Sequence, residues 1–76
     1  IQKKGGQIMP SYCVNKQEQA NRDQEVHEKG CEWEPLTKNQ IGLGWHATCQ
    51  SAVAAAKNYY PKSNGCKHCC PSCHTG

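Results

Sequence analysis

The sequence contains no phenylalanine, and only eight of its 76 residues are Leu, Ile or Val. That is about half of the roughly 20% below which a chain struggles to pack a core. A small chain already buries little surface, and fixing its backbone costs on the order of 1–2 kcal/mol per residue. A fold held by a large hydrophobic core is therefore excluded. The longest apolar run is Ala52-Val53-Ala54-Ala55-Ala56, far too short for the ~20 residues of a membrane-spanning helix. Arginine occurs once, as Arg22. Base-specific reading of DNA leans on arginine, so a sequence-specific DNA-binding module is disfavoured. Acid is absent outside one stretch: all six Asp and Glu lie between Glu18 and Glu34. The flanking segments are basic and the formal net charge is +3. The low net charge and the cysteine content argue against disorder.

What is abundant is cysteine and histidine. The seven cysteines are Cys13, Cys31, Cys49, Cys66, Cys69, Cys70 and Cys73, and the four histidines are His27, His46, His68 and His74. Seven is odd, so a fully paired disulfide framework leaves a thiol over. Each histidine stands within four residues of a cysteine. A disulfide scaffold has no need of that arrangement. A zinc scaffold does, because a thiolate and an imidazole close in sequence can grip one tetrahedral ion.

The tail, Cys66-Lys67-His68-Cys69-Cys70-Pro71-Ser72-Cys73-His74, is the most informative stretch. Cys66 and Cys69 form one C-x-x-C and Cys70 and Cys73 a second. Each brings two sulfurs toward one ion at about 2.3 Å. The adjacent Cys69 and Cys70 point toward different ions. Upstream stand two half-sites, His27 with Cys31 and His46 with Cys49. The simplest closure joins each half-site to one tail pair, giving two Zn²⁺. A third ion needs Cys13, His74 and His68 together with a bridging thiolate, a carboxylate or water. The candidate ligands are thus Cys13, His27, Cys31, His46, Cys49, Cys66, Cys69, Cys70, Cys73 and His74, with His68 a further candidate. With zinc-bound thiolates counted, the net charge falls to between 0 and +2.

The expected fold is a small metal-stabilised, zinc-finger-like domain. It has little regular secondary structure, one or two short helices and interleaved zinc sites. Residues 1–11 read as a flexible lead-in, pinned near Ile8 and Met9, and residues 12–76 as a single zinc-binding domain. Asn15–Lys29 reads as a polar helix, with Asn15 as N-cap, Glu18 completing a capping box and Gly30 as the stop. Residues 46–60 are the strongest helix, alanine-rich and ended by Pro61. Residues 32–45 read as loop with one short strand or hairpin. Trp33, Leu36, Ile41, Leu43 and Trp45 form the candidate mini-core, and residues 62–65 a turn.

Catalysis finds no support in this pattern. A catalytic zinc keeps a ligand position open for water, whereas eleven clustered ligand candidates point to closed sites. Lys57, Lys62 and Lys67, with Tyr59 and Tyr60, are candidates for weak, non-specific nucleic-acid contact. The competing reading is a solvated basic face. A start at Ile1 rather than Met points to a processed product.

The length, the seven cysteines, the four interspersed histidines and the terminal CKHCCPSCH resemble the avirulence protein P effector group of the flax rust fungus, Melampsora lini. That resemblance implies a protein secreted from haustoria, translocated into plant cells, directed to the nucleus and recognised by a host resistance protein. It also implies two or three zinc ions in interleaved sites on the candidates above. The protein would be a monomer without membrane contact. The cysteine spacing of that group has been likened to Kazal inhibitors, a poor match here because Cys69-Cys70 and the histidines have no role in one. The reading from a different class is an extracellular disulfide-rich protease inhibitor or toxin, with three disulfides and one free cysteine.

Overall fold

A computed structural model describes residues 10–75; the readings for Ile8, Met9 and the rest of residues 1–9 lie outside the described residues. Four strands and one helix follow in order: β1 (Ser11–Asn15), β2 (Gln24–Glu28), β3 (Gln40–Trp45), α1 (Cys49–Ala56) and β4 (Ser63–Gly65). Single 3₁₀ turns cover Thr37–Asn39 and Pro71–Cys73. The strands form one sheet in the order β3-β1-β2-β4. β1 runs antiparallel to β2 and β3, and β2 runs parallel to β4. The fold is thus small and rich in cysteine and histidine, but it is built on a sheet. The expectation of little regular secondary structure is corrected.

The helix expected over Asn15–Lys29 is instead two strands and a turn. Its Gln, Glu and Lys favour helix, but an isolated helix there would bury only Ala20 and Val26. Helix propensity yields to tertiary packing in such a case. In the sheet, Val14 lies opposite Val26 and Cys13 opposite His27. All four are buried. Asn15 does not cap a helix. Its Oδ1 accepts the Gln17 N–H at 2.9 Å, Asn21 Oδ1 accepts the Asp23 N–H at 3.0 Å, and Arg22 adopts φ 74°. These are turn devices. Residues expected to form a turn at 62–65 contain β4, whose pairing with β2 runs from Gln24↔Ser63 to Val26↔Gly65. Residue 11, expected within the lead-in, opens β1 instead.

The expected second helix is present but shorter, at Cys49–Ala56. Thr48 is its N-cap, and its Oγ1 accepts the Ser51 N–H at 3.3 Å. Cys49, Ala52 and Ala56 are its buried residues, spaced as one helical stripe. The small alanines let the helix sit close on the sheet against Tyr12, Val14 and Val26, with Cys70 in the same cluster. Of the expected mini-core, Ile41 and Leu43 pack there. Trp33, Leu36 and Trp45 are more than half exposed. Side chains alternate across a sheet, so Cys13 and His27 project from the face opposite α1. No helix among the described residues is long and apolar enough to cross a membrane.

Candidate metal centre

His27 lies near the end of β2, and the chain then turns back through Lys29 and Gly30. Gly30 has φ 95°, a left-handed conformation that glycine adopts without the penalty of a Cβ. This turn brings Cys31 back toward His27. From the other end of the chain, β4 runs alongside β2 and delivers Cys66, whose N–H donates to the Val26 carbonyl at 2.9 Å. The following turn, closed by the Cys70 N–H donating to the Cys66 carbonyl at 2.8 Å, brings Cys69 back. The result is a group of four donors. The ligand atoms of His27, Cys31, Cys66 and Cys69 all lie within 4.8 Å of one another.

This group can hold a metal ion. In tetrahedral coordination with bonds of about 2.3 Å to sulfur and 2.0–2.1 Å to nitrogen, the S···S edge is about 3.8 Å and the S···N edge about 3.6 Å. Cys69 Sγ stands 3.9 Å from His27 Nδ1, close to that edge. The backbone also serves the sulfurs. The Glu28 N–H donates to Cys69 Sγ at 3.3 Å, the Trp33 N–H to Cys31 Sγ at 3.4 Å and the His68 N–H to Cys66 Sγ at 3.4 Å. Every sulfur of the group therefore accepts a hydrogen bond from a backbone N–H. His27 is 1% exposed, and burial lowers its pKa, keeping the imidazole neutral and able to ligate. Burial, with Cys31 adding, pushes the Cys69 thiol up, while the Glu28 N–H opposes the shift. For Cys69 that burial favours the thiol, and a divalent ion at the centre opposes it.

The loop carrying Cys31 is fixed by Glu34. Its carboxylate accepts the Gly30 N–H at 2.8 Å, Gln40 Nε2 at 2.9 Å and Lys29 Nζ at 2.9 Å. These bonds, the Gln40 side chain foremost, hold the Glu34 carboxyl down at about 2.

The other candidates lie elsewhere. Cys13 is fully buried as a free thiol beside His27 in the β1–β2 register, outside the group of four. Its pKa is raised to about 11 by burial first and Glu34 second. Cys49 and Cys73, expected in separate ligand pairs, are joined as a disulfide between α1 and the last 3₁₀ turn. In that state neither sulfur is free to bind a metal. Cys70 is a buried free thiol, with Sγ 4.0 Å from Cys69 Sγ. His46 is not turned toward Cys49. Its Nε2–H donates to the Leu43 carbonyl at 2.9 Å, its Nδ1 pairs with the Ser51 hydroxyl, and its ring meets Tyr12 edge-on. His74 Nδ1–H donates to the Gly65 carbonyl at 3.0 Å. His68 stacks on Trp33 with ring centroids 4.8 Å apart. Lys57, Lys62 and Lys67 are exposed.

Spacing alone did not reveal Glu25, whose Oε1 lies 3.4 Å from His27 Nε2. The signal was its position two residues before His27, which puts both side chains on one face only if the segment is a strand. No protein-family model, curated protein or solved structure matches the chain.

Proposed function

We propose that this chain is a secreted effector that works inside a host plant cell by binding a partner, with Zn²⁺ held by His27, Cys31, Cys66 and Cys69 as its structural support. The observation that carries the zinc reading is the convergence of these four donors from two distant segments, each sulfur served by a backbone N–H. One imidazole and three thiolates are a set that zinc takes in structural sites. They fill a tetrahedral shell and leave no position for a reacting water, which favours a binding role over catalysis. The effector role, translocation, a nuclear destination and recognition by a host resistance protein follow from the resemblance in the tail and cysteine pattern. A reducing cell interior suits such a site, because thiolates stay available to metal.

The same reading gives the further ions their ligands. Reduction of the Cys49–Cys73 bond frees one thiol in the core cluster that also contains Cys70 and one packed against it, the chemistry a second zinc requires, with His46, His74, Cys13 and His68 as the remaining candidate donors. The test is native mass spectrometry on the oxidised and the reduced protein, with circular dichroism before and after EDTA. The expected result is one zinc with one disulfide when oxidised, two or three zinc ions when reduced, and loss of structure on chelation. Absence of zinc in both forms, or a spectrum unchanged by EDTA, would overturn the zinc reading. The extracellular inhibitor or toxin has one observation in its favour, the Cys49–Cys73 disulfide itself. Three disulfides and no metal in the same measurement would select it. Weak nucleic-acid contact through Lys57, Lys62 and Lys67 is part of the proposal. It requires salt-sensitive binding that disappears when the three charges are reversed, and no binding at low salt removes it.

A further inference from the structure

Resting on the zinc reading of this centre, we infer that Glu25 is a positioning residue for the metal: its carboxylate takes the Nε2–H of His27 and so commits Nδ1 to the ion. The geometry has three parts. First, Glu25 and His27 are alternate residues of β2, so both side chains leave the same face of the sheet. Second, the two ring nitrogens face different partners. Nδ1 stands 3.9 Å from Cys69 Sγ, a member of the donor group, while Nε2 stands 3.4 Å from Glu25 Oε1, which is not one. Third, the pair is sheltered. The side chains of His27 and Glu25 are 2% and 22% exposed, so water competes poorly for the Nε2–H.

A neutral imidazole has one N–H and one lone pair, and whichever nitrogen keeps the proton leaves the other to ligate. A carboxylate can only accept. Glu25 therefore selects the tautomer with hydrogen on Nε2 and the lone pair on Nδ1. It also fixes the ring plane and increases the donor strength of Nδ1, the action of carboxylates behind metal-bound histidines generally. The neighbouring acids do not share this place. Glu34 is occupied by Gly30, Gln40 and Lys29. Glu28 meets the centre through its backbone N–H to Cys69.

The experiment uses the full chain with Glu25→Ala, Glu25→Gln and Glu25→Asp. Zinc affinity is read by competition with a chromophoric chelator, and the His27 tautomer by long-range ¹H–¹⁵N spectra of the zinc-loaded protein. The expected loss for Glu25→Ala is about 10- to 100-fold in affinity. Glu25→Gln, which keeps an acceptor oxygen, falls between Glu25→Ala and the wild type, and in the wild type His27 carries its proton on Nε2. Circular dichroism at saturating zinc separates this from misfolding. If Glu25→Ala does not fold there, the Glu25→Gln affinity and the wild-type tautomer decide. A Glu25→Ala affinity within twofold of the wild type, a Glu25→Gln affinity within twofold where Glu25→Ala does not fold, or zinc on Nε2 with the proton on Nδ1, overturns the inference. A wild type that binds no zinc instead overturns the reading on which it rests, so the two failures are distinguishable.

Discussion

Gly65 is the last residue of β4, and the tail folds back directly over it. A methyl group built at Gly65 would meet Cys73 Cβ at 2.7 Å, the Cys70 carbonyl oxygen at 2.9 Å and the Cys73 carbonyl carbon at 3.0 Å. Two of these three atoms are backbone, so no rotamer change relieves the contact. Restoring an ordinary 3.4 Å separation to Cys73 Cβ requires a movement of 0.7 Å, from 2.7 to 3.4 Å. The tail has little freedom to make it. Cys73 is bonded to Cys49, and Thr75 is held to Asn64 by bonds of 2.8 and 3.0 Å. The movement also pulls on the turn that presents Cys69. Overpacking of a well-packed site costs about 1–3 kcal/mol, which is about a 5- to 150-fold drop in the folding equilibrium. The assay is denaturant unfolding of Gly65→Ala at a fixed saturating zinc concentration, since bound metal adds to apparent stability. Gly42→Ala is the control, because nothing lies within 4 Å of a methyl group there. That variant should match the wild type or gain up to about 1 kcal/mol. If Gly65→Ala unfolds within about 0.5 kcal/mol of the wild type, the usual spread of neutral surface changes, the argument from close packing is refuted.

Cys13 predicts an alkaline limit. Its folded pKa is raised from 9.0 to about 11, so the folded chain keeps a proton that the unfolded chain releases. That contribution is complete below pH 9 and is withdrawn as pH rises toward 11. Cys13→Ala should flatten the fall in stability across this window, and unchanged slopes in denaturation at pH 8, 9 and 10 would refute the assignment. Glu34 predicts the acid side. Its carboxyl is held at about 2 against an ordinary 4.5, so its contribution is present above pH 4.5 and is lost as pH falls toward 2. Glu34→Gln should destabilise the chain at pH 7, with the difference from wild type closing below pH 4.5. An equal difference at pH 7 and pH 2.5 would count against the three bonds that Glu34 accepts.

The parts of the site legible in the sequence were those set by local spacing. His27 and Cys31 stand four apart, Cys66 and Cys69 three apart, and a short turn suffices to converge each pair. The alanine-rich helix was legible too, because Ala52–Ala56 has high intrinsic propensity and Pro61 forbids continuation. The strands were not. Glu25-Val26-His27-Glu28 has the composition of a helix surface, and its strand character comes from partners at residues 12–14 and 63–65 that no local window contains. Reading that segment as helix also hid Glu25, since in a helix residues two apart do not share a face. The exposed Trp33 and Trp45 misled by size. Apart from Tyr12, the buried core here is built of Val, Ala and Cys, residues small enough for α1 and the tail to approach the sheet closely.

The donor set takes one half from β2 and the turn after it and the other half from beyond β4. Closing the chain between Cys31 and Cys66 through a shared ion removes about 4 kcal/mol of loop entropy from the unfolded state, by the estimate used for cross-links of this length. None of that is available to a chain whose far end has not arrived, and β2 then lacks its parallel neighbour as well. The cross-link can therefore form only once β4 and the turn that follows it are in place, so the last quarter of the sequence completes what β2 and its turn begin.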